Sequence, residues 1–61
     1  MARGEIIFEI TLLGDTVKVT AIDPVSLLEA SVIGPRSYPP ELLKRTALRK
    51  LQRVIAGGGK L

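Results

Sequence analysis

Cysteine, histidine and tryptophan are absent from the 61-residue chain, which has one tyrosine and one phenylalanine. Without cysteine no disulfide can brace the fold, and without cysteine or histidine a structural zinc site loses its usual ligands. The same absences remove the commonest acid–base side chain at neutral pH and the thiol nucleophile. So few aromatics leave no base-stacking platform for single-stranded nucleic acid. Long apolar runs are missing too. Glu5 and Glu9 interrupt the first hydrophobic stretch and Gly14-Asp15 ends it. Neither a signal-peptide core nor the roughly 20 apolar residues that a bilayer-spanning helix needs is present in the sequence. A cytoplasmic protein without a membrane partner, cofactor, metal or small-molecule substrate is expected.

What is present suffices for a fold. The 46% apolar and 25% charged content belongs to a folded globular chain rather than a disordered one. A chain of this size buries only about 60% of its unfolded surface, so small domains lean on disulfides, metals or a partner chain. Association with further copies is the aid left here, and the chain reads as a single small domain over 1–61. Charge is unevenly shared. Residues 1–34 hold Arg3 and Lys18 against Glu5, Glu9, Asp15, Asp23 and Glu29, a net −3. Residues 35–61 hold Arg36, Lys44, Arg45, Arg49, Lys50, Arg53 and Lys60 against Glu41, a net +6.

Periodicity divides the chain at the same place. Residues 5–13 alternate, with Ile6, Phe8, Ile10 and Leu12 on one face, and residues 16–23 alternate with Val17, Val19 and Ala21. Gly14-Asp15 between them has the glycine-first order of a type II′ hairpin turn. That turn pairs Leu13 with Thr16, and the register follows. Leu12, Ile10 and Phe8 then meet Val17, Val19 and Ala21 on one face. On the other, Thr11, Glu9 and Ile7 meet Lys18, Thr20 and Ile22. Turn chemistry and hydrophobic pattern agree, as a specified register requires. Asp23-Pro24 ends the second strand, and residues 29–33 supply a third, with Ala30 and Val32 facing the core. Leu27 and Leu28 also suit a short helical turn starting near Ser26.

Gly34 to Pro40 reads as a linker, in which tandem prolines keep Tyr38 and Pro39 out of helical geometry. A helix is predicted over 40–56, because proline is suited to a first helical position, with a glycine stop and tail over 57–61. Leu43, Ala47, Leu51 and Val54 share one face, flanked by Leu48 and Ile55. Arg45, Arg49 and Arg53 recur opposite them as a basic ridge, with Lys50 beside it. The fold class expected is α+β: a three-stranded antiparallel meander with one C-terminal helix on one face.

Little in this pattern suggests catalysis. The carboxylates are scattered over strand exteriors, turns and the helix start, whereas an acid/base pair needs a shared, partly dry pocket. Gly57-Gly58-Gly59-Lys60 superficially resembles a phosphate loop, but it follows a helix instead of joining a strand to one. Two features carry functional content. Arg45, Arg49, Lys50 and Arg53 form a stripe that suits nucleic-acid phosphates or an acidic protein surface. A solvated helix face explains the same residues. Ile7, Ile22, Ile33 and Leu13 put apolar groups on a sheet face that water should find polar, which points to a homo-oligomer.

The segments Val17-Lys18-Val19-Thr20-Ala21-Ile22-Asp23-Pro24 and Val32-Ile33-Gly34-Pro35, followed by Ala47-Leu48-Arg49-Lys50-Leu51, resemble short stand-alone alpha-proteobacterial proteins of unknown function. The likeness runs over nearly the whole chain and implies a bacterial cytosolic origin with no known activity. Those proteins tend to have Thr-Gly where this chain has Ser26-Leu27. A looser, architectural likeness is to the second half of a double-stranded-RNA-binding domain, without that domain's first helix. The leading expectation is a non-catalytic interaction or structural module, homo-oligomeric. Sequence-independent RNA binding through the basic helix face is the alternative, and a subunit completing a larger enzyme's site is a third.

Overall fold

Gly14 has φ +61°, and Asp15 beside it keeps a negative φ, the type II′ arrangement that a glycine-first turn predicts. In the computed structural model, which describes residues 5–57, this turn joins β1 (Ile7–Leu13) to β2 (Thr16–Ile22). All pairs from Leu13–Thr16 to Ile7–Ile22 are in the predicted register. Thr16 Oγ1 donates to the Leu13 carbonyl at 2.7 Å and pins the turn. Pairing begins at Ile7, two residues later than the alternation suggests.

The second hairpin is closed by Asp23 N–H donating to the Leu28 carbonyl at 2.9 Å, leaving four loop residues. Asp23 organises them. Its Oδ1 accepts from Val25 N–H at 3.0 Å, its Oδ2 from Ser26 Oγ at 3.0 Å, and its carbonyl from Leu27 N–H at 2.8 Å. Ser26 Oγ in turn accepts from Leu28 N–H at 3.2 Å. The chain reverses by placing Leu27 in the left-handed region, φ +67°. A side chain there costs roughly 1–2 kcal/mol through the clash of Cβ with the carbonyl.

Strand β3 (Glu29–Pro35) pairs with β2, giving a sheet of order β1-β2-β3, with Val19 opposite Val32 and Ala21 opposite Ala30. It does not stop at Ile33. Gly34 and Pro35, which the sequence assigns to a linker, continue the strand opposite Val17 and Thr16. The Asp23–Leu28 bond fixes which β3 residues point N–H and C=O at β2, and by alternation Pro35 is not among them. Its missing N–H faces away from the ladder, the one place where an edge strand tolerates proline. Arg36 N–H resumes the pairing by donating to the Asp15 carbonyl at 2.9 Å.

Helix α1 (Pro40–Ala56) occupies the predicted span. Pro39 precedes it in extended geometry without a side-chain cap, and Leu42 N–H donates to the Pro39 carbonyl at 3.1 Å. Glu41 in the first turn and Arg53 in the last complement the helix dipole. Gly57 ends the helix at φ −85°, its N–H donating to the Arg53 carbonyl at 3.0 Å, so it stops the helix without left-handed geometry. The rest of the predicted tail lies outside the described residues.

The core is Val17, Val19, Ala21, Ala30, Leu43, Ala47 and Leu51, with Ile6, Phe8, Leu28 and Val32 packed against it. Small residues decide where the helix rests. The inner face of β3 is Ala30, Val32 and Gly34, and α1 packs chiefly on β3 and β2. A Cβ on Gly34 would lie 2.7 Å from Leu43 Cδ2, so the helix start is seated in the space that this glycine leaves.

Two stability measurements follow from these contacts. Gly34→Ala should destabilise the protein by about 1–2 kcal/mol through overpacking. In a Leu43→Ala background the same change should be neutral, a coupling that a denaturant double-mutant cycle reads directly. Leu27→Gly should stabilise by about 0.5–1 kcal/mol, because relief of the left-handed strain exceeds the entropy that glycine adds to the unfolded chain. An unchanged urea midpoint would show that Leu27 is not strained.

Candidate interaction surfaces

Alternation places Phe8, Ile10 and Leu12 of β1 on the helix side of the sheet, opposite Ala21, Val19 and Val17. Their partners on β2 are buried, but Ile10 is 47% exposed and Leu12 57%. The helix covers β2 and β3 and, apart from Phe8, leaves β1 uncovered. A helix is about 10 Å across and strands lie about 4.8 Å apart, so one helix roofs two strands. Small residues on β3 draw it to that side, whereas the bulk of Phe8, Ile10 and Leu12 holds it off β1.

An open groove of about 390 Å³ results, lined by Phe8, Glu41, Lys44, Arg45 and Leu48. Lys44 Nζ stands 5.7 Å from the Phe8 ring centroid and 3.7 Å from Glu41 Oε2. The ammonium is thus held over the aromatic face, while Ile10 and Leu12 extend the apolar wall along β1. On the helix, Ile55 shares the flank of Leu48 and is also exposed. The groove is therefore apolar along its strand side and charged along the first turns of the helix.

On the outer face the register separates the four residues that the sequence groups together. Ile7 pairs with Ile22 at one end of the sheet. Leu13 pairs with Thr16 at the other, and Ile33 stands opposite Lys18. Between the two ends run Glu9, Thr20 and Ser31, and Thr20 Oγ1 and Ser31 Oγ share a hydrogen bond of 2.7 Å. Thr20 itself is buried. The outer face holds one small isoleucine pair and two separate apolar residues, with a polar band across the middle.

The basic residues are likewise divided. Arg45 borders the groove, and Arg49 and Arg53 continue along the solvent side of the helix, all three exposed. None of the three has a carboxylate partner among the described residues, where Lys44–Glu41 is the ion pair. Lys50 leaves the ridge. It crosses to β3 and donates from Nζ to the Ser31 carbonyl at 2.9 Å. Among the described residues no three metal-ligating side chains cluster, and no helix is long and apolar enough to cross a membrane.

The family model of a domain of unknown function, DUF6898, matches residues 3–58. The chain belongs to that family. No curated protein and no solved structure matches it. The family is uncharacterised in activity, so the functional argument rests on the surfaces of this chain. Of these, Ile10 and Leu12 escape the sequence reading because alternation alone counts them as core. The signal that finds them is bulk: three large side chains on β1 face one helix that already has an alanine–glycine seat on β3.

The division between covered and uncovered strands is measurable. Leu51→Ala should cost about 2–5 kcal/mol, as for a fully buried leucine. Leu12→Ala should cost less than about 1 kcal/mol, because its side chain stays largely in water. Urea unfolding at low micromolar concentration compares the two.

Proposed function

We propose that this chain is a non-catalytic interaction module that acts as a homo-oligomer, with the uncovered face of β1 as its contact. The observation that carries the reading is the exposure of Ile10 and Leu12 on the face that the fold uses for its core. Exposed apolar groups in a row are the usual mark of an association surface. The carboxylates support the non-catalytic part. Glu9 is on the outer face, Asp15 in a turn, Asp23 in the second hairpin loop, and Glu41 beside Lys44. The bacterial, cytoplasmic setting implied by the resemblance to alpha-proteobacterial proteins accompanies this reading.

Light scattering over a concentration series tests it. The protein should show a dimer mass, and Ile10→Lys with Leu12→Lys should reduce it to a monomer that keeps its circular dichroism spectrum. A monomer at every concentration for the unaltered chain would sink the reading.

A second reading has its own observation: Arg45, Arg49 and Arg53 are exposed and unpaired by any carboxylate among the described residues. Such a stripe suits an acidic protein surface or the phosphates of an RNA duplex. Phosphate binding would weaken steeply with salt, with a slope of about 0.9 per neutralised phosphate for a B-form DNA duplex. An NMR titration with a short RNA duplex at low and near-physiological salt should show shifts along these residues. Replacing all three with Gln should abolish those shifts. Shifts that survive the replacement would remove the ridge from consideration.

A further inference from the structure

We propose that the second copy adds to the open edge of β1, antiparallel and centred on Ile10, so that two sheets become one of six strands. The inference rests on the homo-oligomeric reading and specifies its geometry.

The two sheet edges differ. On β3, Pro35 offers no N–H and Lys50 Nζ already occupies the outward Ser31 carbonyl. Proline and lysine are the devices by which edge strands resist pairing. Strand β1, Ile-Phe-Glu-Ile-Thr-Leu-Leu, contains neither residue. Its helix-side face is apolar, with Ile10 and Leu12 exposed, and its other face has exposed Ile7 and Leu13 at either end of Glu9 and Thr11.

The hydrogen-bonding phase selects the register. A two-residue turn is closed by a pair that shares hydrogen bonds, here Leu13 and Thr16. Alternation then points the N–H and C=O of Leu13, Thr11, Glu9 and Ile7 at β2, and those of Leu12, Ile10 and Phe8 outward. Pairing Ile10 with the partner copy's own residue 10 sets Phe8 against the partner's residue 12. Every outward donor and acceptor on both strands is then satisfied.

Side chains agree with that register. On the helix side Phe8 meets leucine and Ile10 meets isoleucine; on the other side Ile7 meets leucine and Glu9 meets threonine. Shifting the centre to residue 9 would set two glutamates face to face, and a centre at residue 11 would put Glu9 opposite leucine. Odd shifts would mix the two faces. The centre at Ile10 matches apolar with apolar, sets Glu9 against threonine and leaves no like charges opposed. Both helices then lie on one side of the joined sheet, and each groove opens onto its twin.

Single cysteines test the geometry, because the chain has none of its own. Residue 10 should lie about 5.5 Å Cα to Cα from its twin, within disulfide range. Mild oxidation of Ile10→Cys should therefore give a covalent dimer. Glu9→Cys alone should not cross-link, its twin being a diagonal neighbour about 7–8 Å away. Mixed with Thr11→Cys it should give the mixed dimer. Independently, Ile10→Pro removes an N–H that the monomer does not use, and should weaken dimerisation about 30-fold through two lost hydrogen bonds per dimer. A monomer mass for the unaltered protein overturns both the oligomer reading and this inference. A dimer mass without a disulfide in the Ile10→Cys variant overturns the inference alone. So does a dimer lost on Ile7→Lys with Ile22→Lys but not on Ile10→Pro.

Discussion

One helix roofs two strands, and this sheet has three. That mismatch of widths sets the distribution of buried and exposed surface in the molecule. The helix rests where its backbone can come closest, over Ala30, Val32 and Gly34, with Leu43 pressed against the space left by Gly34. Dispersion and burial both favour the closer approach. Covering β1 instead would lift the helix onto Phe8, Ile10 and Leu12 and open voids above the alanines. The core is therefore off-centre, and β1 is held by its ladder with β2 and by the packing of Phe8 against the core.

The same asymmetry governs the edges. The β3 side is finished: proline ends its strand, Lys50 reaches over it, and Arg36 ties its end to the first turn, pairing with the Asp15 carbonyl and reaching the Gly14 carbonyl through Nη1 at 3.4 Å. The β1 side has the backbone groups of Phe8, Ile10 and Leu12 outward and, Phe8 apart, its side chains exposed. An unprotected edge is ordinarily a hazard, since it templates pairing with other chains. In a chain too small for a large core, and with no cysteine or histidine to brace it, a self-complementary edge is a route to the burial that the monomer lacks. The hazard and the proposed function are the same physical feature.

Charge is arranged around this frame without stabilising it much. The described ion pair, Lys44–Glu41, is a solvent-exposed helical pair, a class worth about 0–1 kcal/mol. Lys50 serves the fold through a hydrogen bond to backbone. Arg45, Arg49 and Arg53 lie on the exposed side of the helix, outside the core, so a partner can reach them, and Arg45 is at the rim of the groove.

The order of elements, both hairpins and the helix span were legible in the chain itself, because each depends on local rules. Gly14-Asp15 sets one turn, alternation sets which side chains face together, and Pro40 starts the helix. Where β3 ends was not legible, since Pro35 is acceptable only when the ladder points its nitrogen outward, and that phase is inherited from the Asp23–Leu28 closure. Nor was the exposure of Ile10 and Leu12. Alternation assigns a side chain to a face but says nothing of whether anything covers that face. Coverage was settled by where α1 came to rest, and the same placement took Lys50 out of the basic ridge. The outer-face residues Ile7, Ile22, Ile33 and Leu13 were correctly put on one side, yet only the pairing of all three strands revealed the polar band that divides them. Periodicity is a property of one segment, whereas burial belongs to the surface that another segment brings to it.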